Sequence, residues 1–129
     1  MKKKLLIFSI IIFFTLLLLY AYVYKGHRDI SNEKESFALS VAKLKHDFSQ
    51  NDSLANVKYL DKTIIIYGKI STIDLFTNSI YLDSSVSATL KKKPTGLKVN
   101  DSIQLKGRFI GYDDLLEEFK MDECTPVKL

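Results

Sequence analysis

The sequence is poor in the residues that usually announce chemistry. It holds one cysteine, Cys124, so no internal disulfide can form and thiol pairing says nothing about compartment. Tryptophan is absent, and histidine occurs twice. His27 and His46 stand far apart and without companions, whereas a zinc site needs three or four ligands. There is no glycine-rich phosphate loop, no nucleophile elbow, and no histidine beside Cys124 in the chain. The acidic run Asp113, Asp114, Glu117, Glu118, Asp122 and Glu123 lacks the alternating spacing that wraps a calcium ion, and reads as a solvated hairpin edge. The expectation is a protein that is not an enzyme and uses no metal or cofactor.

An excess of positive charge is missing too, despite a formal net charge of +4. Lys2, Lys3 and Lys4 supply three of the 19 basic residues, which leaves 16 against 15 acidic ones for the rest of the chain. The basic character belongs to the N-terminal tip. The simplest argument for nucleic-acid binding therefore falls away.

What the chain does have is a long apolar run. Leu5 to Tyr24 carries no charge, and at a helical rise its length matches the hydrocarbon thickness of a bilayer, about 30 Å. Tyr20, Tyr22 and Tyr24 gather at one end, where amphipathic rings suit the headgroups, and the three lysines mark the other end as cytoplasmic. A cleaved signal peptide would have a shorter apolar core and small residues at its end. Here the run closes on Tyr-Ala-Tyr-Val-Tyr, so an uncleaved signal anchor is expected over residues 1–24. The bilayer is then the partner of residues 5–24, and everything beyond lies outside the cytoplasm, in the periplasm or at the cell surface.

Residues 25–56 read as a stem and an amphipathic helix. Asn32 and Glu35 have capping-box spacing, and Phe37, Val41, Leu44 and Phe48 follow on one helical face opposite Lys43, Lys45 and Asp47. The helix is expected to end near Gln50 to Asp52. Residues 57–129 read as β. Lys62 to Ile73 is a β-branched strand interrupted at Gly68, and Ile103 to Phe109 repeats that grammar around Gly107. Shorter strands are expected at Asn78–Leu82 and Val86–Leu90, with longer ones at Ser102–Ile110 and Glu118–Cys124. The stretch 113–119 is open between strand and helical turn. Two long strands bent at glycines suit a five-stranded OB-like Greek-key barrel, behind a transmembrane helix and one amphipathic helix. Gly68 and Gly107 are expected as structural glycines, an alanine at either weakening closure where the glycine takes φ > 0.

From about Phe37 to Val127 the chain resembles the tRNA-anti-like OB-fold family of small bacterial proteins. The matching positions are Asn51, Ala55, Tyr59, Lys62, Ile64, Ile66, Gly68 and Ile70, then Ile103, Leu105 and Gly107, then Cys124. Asn100 stands where the family usually has a glycine before Asp101, and Val86–Leu90 lacks the family's cysteine and aromatic. The resemblance implies an OB fold far more than it implies RNA.

OB barrels bind through aromatic and basic residues on the second and third strands and nearby loops. Candidate contacts here are Tyr67, Tyr81, Lys91, Lys92, Lys93 and Tyr112. The lysines also suit anionic lipid headgroups or an acidic partner. The expected function is a membrane-anchored extracytoplasmic binding module with a protein partner in the envelope. Two alternatives are a single-stranded nucleic-acid-binding OB domain and a structural subunit of an envelope membrane complex. The second would use the membrane helix as an interface, although no Gly-x-x-x-Gly motif supports helix pairing.

Overall fold

The computed structural model describes residues 1–26 and 28–127. His27, weighed above as a metal ligand, and the last two residues of the barrel segment lie outside the described residues. Helix α1 runs Lys2–Val23 with none of its residues buried, and Thr15 donates its hydroxyl proton to the Ile11 carbonyl, so its polar atom is satisfied within the helix. Among the described residues it is the one helix long and apolar enough to cross a membrane.

The chain then differs from the expected single helix over residues 31–50. Asn32 and Glu35 form no capping box. Asn32 Nδ2 instead donates to Asp29, and the segment leads into a short strand, β1, Phe37–Ser40. Helix α2 starts only at Val41 and runs to Gln50, with Ser40 Oγ accepting the Lys43 N–H at 3.1 Å. The reason is that Phe37 and Leu39 satisfy strand alternation as well as Phe37 and Val41 satisfy a helical stripe, and the pairing of β1 with β2 decides between them. A third helix, α3, spans Asp52–Tyr59 where no helix is expected from the sequence, and Asn51 Oδ1 caps it at Leu54 N. It buries Ala55 and Tyr59 on one face.

Five strands follow: β2 Thr63–Asp74, β3 Ser79–Leu82, β4 Val86–Leu90, β5 Ser102–Asp113 and β6 Glu118–Pro126. They hydrogen-bond in the order β2-β3-β4-β6-β5, and β5 returns to β2, closing a barrel of OB type with β1 added in parallel to the start of β2. Strand β2 turns the corner by changing partners. Its first half, through Lys69, pairs with β5, and its second half, from Ile70, pairs with β3. Inward residues alternate as the pattern requires: Ile64, Ile66 and Ile70 on β2, Ile103, Leu105 and Phe109 on β5. Phe48 of α2 sits among Tyr59, Phe109, Phe119 and Tyr112 with ring centroids 5.0–6.5 Å away, covering one end of the barrel. Leu97 packs on the core within the irregular stretch between β4 and β5, while Val99 is exposed. Residues 114–117, within the stretch open between strand and helical turn, form the turn of a β5–β6 hairpin, and Gly111–Asp113 extend β5 beyond its expected end at Ile110.

Neither Gly68 nor Gly107 takes a positive φ; those glycines are Gly96 and Gly111. Close approach explains the other two. A Cβ on Gly107 would strike Cys124 Sγ and come within 2.9 Å of the Asp122 carbonyl. At Gly68 it would meet an Asp83 carboxylate oxygen at 2.9 Å and Val41 Cγ2 at 3.0 Å. Gly107 faces packed backbone and a fixed thiol, whereas the Asp83 side chain can swing away. We expect Gly107→Ala to cost about 3 kcal/mol of stability and Gly68→Ala about 1 kcal/mol. Thermal unfolding of the full chain in detergent measures both, and equal losses would reject this steric account.

Helix α2 also carries an acid-sensitive contact. Asp47 accepts from Lys43 Nζ at 2.6 Å and from the Tyr59 hydroxyl, and these bonds lower its pKa from 3.8 to about 2. A lowered carboxylate stabilises the fold above its ordinary pKa, and that contribution is lost as pH falls through about 2. The Lys43 partner is 57% exposed, so screening limits the effect to about 1 kcal/mol. Asp47→Asn should flatten the fall in melting temperature between pH 4 and pH 2, roughly the window between the two pKa values. An unchanged slope would reject the linkage.

Candidate binding surface

The second and third barrel strands, β3 and β4, present an outward face built from two cross-strand pairs, Tyr81 with Ser87 and Ser79 with Thr89. Their inward neighbours Ile80, Leu82, Val86, Ala88 and Leu90 are all in the core, which fixes which side chains look out. Ser79 and Thr89 hydroxyls lie 3.3 Å apart. Lys120 of β6 is registered beside Ser87 and extends the face. Together with Asp74, Thr77, Ile110 and Glu118 these residues line a groove of about 330 Å3.

Two hairpin tips flank the groove, and they are built alike. Asp74 Oδ1 accepts the N–H of Phe76 at 2.9 Å and of Thr77 at 3.4 Å, and Asp113 Oδ1 accepts those of Leu115 at 3.0 Å and Leu116 at 3.2 Å. Each turn ends in a left-handed residue, Asn78 or Glu117, both at φ 53. Each tip holds two apolar side chains out in solvent: Leu75 with Phe76, and Leu115 with Leu116.

The groove is more acidic than basic. The backbone N–H of Phe76 holds the Asp74 carboxyl below the usual range, and a hydrogen bond from Lys120 does the same for Asp113. Lys120 is in turn raised by Asp113, at 2.8 Å. Its charge is thereby answered within the chain, while Asp74 and Glu118 line the groove with no ion pair of their own among the described residues.

The candidate contacts do not converge on one site. Tyr81 alone lines this groove. Tyr67 is half-exposed on β2 and lines a separate hollow of about 510 Å3 with Ser40, Gly68, Asp83 and Gln104. Tyr112 packs against Phe119 at 4.8 Å and belongs to the aromatic cluster around Phe48. Lys91 is engaged by Asp29 and Glu123 at 3.4 Å each, and Lys92 and Lys93 are exposed in the loop after β4. Gly68 and Gly107 are packing positions. Ser79, Lys120, Ile110 and the hairpin tips were not among the sequence candidates. The visible signal for the tips is an apolar pair standing inside an otherwise polar turn, once at Leu75–Phe76 and again at Leu115–Leu116.

The acidic run is divided among different cations: Asp113 with Lys120, Asp122 with Arg108, and Glu123 with Lys91. No cluster of three or more His, Cys, Asp or Glu side chains suited to a metal occurs among the described residues. Cys124 is buried, and loss of solvent pushes its thiol pKa far up, so it is held as a packing thiol.

No match to the chain was found among curated proteins or solved structures. A family model, tRNA_anti-like, matches residues 1–117, taking in the apolar helix as well as β1 to β5 and stopping just short of β6. With nearly the whole chain covered and a closed OB-type barrel in its second half, the protein belongs to the tRNA_anti-like family.

Proposed function

We propose that the protein is a non-catalytic binding module, anchored in a membrane by α1 with its N-terminus in the cytoplasm and its barrel outside. The observation that carries the binding reading is the β3–β4 groove. Its floor of hydroxyls and one tyrosine lies between two hairpin tips in the position where OB barrels hold their ligands. The anchor reading is supported by the length and uniform apolarity of α1, none of which is covered by the rest of the chain. The three lysines at its start support the orientation.

The groove's chemistry favours a segment of a neighbouring protein over a nucleic acid. Phosphates need cations along the groove and bases need aromatic platforms. Here Lys120 is neutralised by Asp113, Asp74 and Glu118 repel an anion, and Tyr81 is the single ring. Hydroxyls and carboxylates instead suit the amides and cationic side chains of a polypeptide.

The test replaces Tyr81 with a photo-crosslinking amino acid in the native membrane, with Tyr67 substituted in parallel. A defined adduct is expected from position 81 at several times the yield from position 67. Equal yields would remove the groove from consideration. In titrations of the full chain in detergent, single-stranded oligonucleotide should show no salt-dependent binding. A clear salt slope would restore the nucleic-acid alternative.

A further inference from the structure

The stem after α1 is no loose tether. Ile30 is 1% exposed and lies beside Arg108 of β5 and Glu123 of β6. Arg28 holds both carboxylate oxygens of Glu33 at 2.6 Å and donates to the Asp61 carbonyl at 3.0 Å. Asp29 meets Lys91 Nζ at 3.4 Å. Asp29 is the sixth residue after Val23, the last of α1, a reach of at most about 22 Å. If α1 ends at a bilayer surface, the part of the barrel that grips Asp29 is held within that distance of the headgroups.

Backbone hydrogen bonds identify what else is at that end. Lys91 N–H donates to the Cys124 carbonyl, and the residue before it, Leu90, donates its N–H to the Asn78 carbonyl at 2.8 Å. Asn78 closes the first hairpin tip. The tip that carries Leu75 and Phe76 therefore lies beside the Lys91–Lys93 loop and the docked stem. Phe76 is wholly exposed and Leu75 is 64% exposed, and neither Lys92 nor Lys93 has an acidic partner among the described residues. Exposed aromatic and aliphatic side chains next to unpaired lysines are the surface that anionic bilayers take up. The second tip offers equal apolarity but not the charge. Leu115 and Leu116 stand among Asp114, Glu117 and Glu118 besides the Lys120-paired Asp113, against the single Asp74 at the first tip, so anionic headgroups would be repelled more strongly there.

We propose that the barrel lies down on the bilayer that holds α1, with Leu75 and Phe76 in the headgroup–acyl boundary and Lys92 and Lys93 on anionic headgroups. This rests on the anchor reading above, and adds to it a second, interfacial contact that fixes how the barrel is oriented. The groove-lining residues Asp74 and Thr77 belong to the same tip, so the groove opens beside the membrane surface.

The absence of tryptophan makes the test direct. Phe76→Trp, Leu116→Trp and Tyr22→Trp each place a single indole in the full chain. The variants are reconstituted into phosphatidylcholine vesicles with or without phosphatidylglycerol, using acyl chains brominated near the headgroup as quenchers. Tyr22→Trp and Phe76→Trp should be quenched and blue-shifted, and Leu116→Trp should emit as if in water. Omitting phosphatidylglycerol, or adding Lys92→Glu and Lys93→Glu, should lower quenching at position 76 by at least about twofold. Quenching at position 22 with water-like emission at 76 overturns the inference and leaves the anchor standing. No quenching at position 22 overturns the anchor reading and the inference with it. Equal quenching at 76 and 116 overturns the choice of this end.

Discussion

The barrel closes because nothing stands between the backbone of β5 at Gly107 and the thiol of Cys124. Gly107 is paired to Ile64 of β2 on one side, and on the other it lies under β6, where a side chain of any size would strike Cys124 Sγ. Cys124 reaches that position through an irregularity. Phe119 and Met121 face inward with a period of two, which would carry Glu123, not Cys124, into the core. The register of β6 against both neighbours slips by one residue here, and Glu123 takes φ 53, the mark of a bulge. The bulge returns Cys124 to the interior and leaves Glu123 free to meet Lys91. One extra residue thus closes the sheet and sets the ion pair that borders the docked stem.

Much of this architecture is legible in the residues because β-branched alternation is a strong local signal. Ile64, Ile66 and Ile70 declare their face, and the turns Asn78 and Asp83–Ser84 take the left-handed backbone that Asn, Asp and Ser tolerate. What failed was the segment before the barrel. A stripe of Phe37, Val41, Leu44 and Phe48 describes one helical face, yet Phe37 pairs with Ile64 in a sheet and still packs edge-on to Tyr59 at 5.2 Å. Both arrangements bury the same ring, so hydrophobic spacing cannot choose between them. The choice lies in a long-range pairing and in Ser40, whose side chain starts the helix one residue later. Helix α3 was hidden for a related reason: eight residues with buried positions only at Ala55 and Tyr59 give little periodicity.

The binding surface was legible as a fold-level expectation and not as a residue list. Aromatic and basic residues were the natural candidates, and the barrel scatters them. Tyr67, Tyr81 and Tyr112 point into different hollows because they sit on strands whose outward faces diverge around a closed sheet. The groove that remains is made of short hydroxyl side chains, which carry no distinctive signature in a linear chain. Its walls depend on Asp74 and Asp113 turning the backbone the same way at two sites, and this equivalence shows only once the hairpins are formed.

Those two walls, identical in backbone, differ in what surrounds them, and the difference orders the molecule. The first tip is joined through Asn78 and Leu90 to Lys91, which grips the stem, and it lies near Lys92 and Lys93, which have no acidic partner among the described residues. The second emerges from the acidic end of β5 and β6, where the nearest cation, Lys120, is already bound by Asp113. An anionic surface distinguishes them, because equal apolar gains are opposed by one carboxylate at the first tip and by several at the second. With the stem fixed to the barrel by Ile30 and Arg28, that asymmetry acts on a rigid body. If the barrel lies on the bilayer as proposed, the groove bounded by both tips has one wall against the membrane and the other facing away from it.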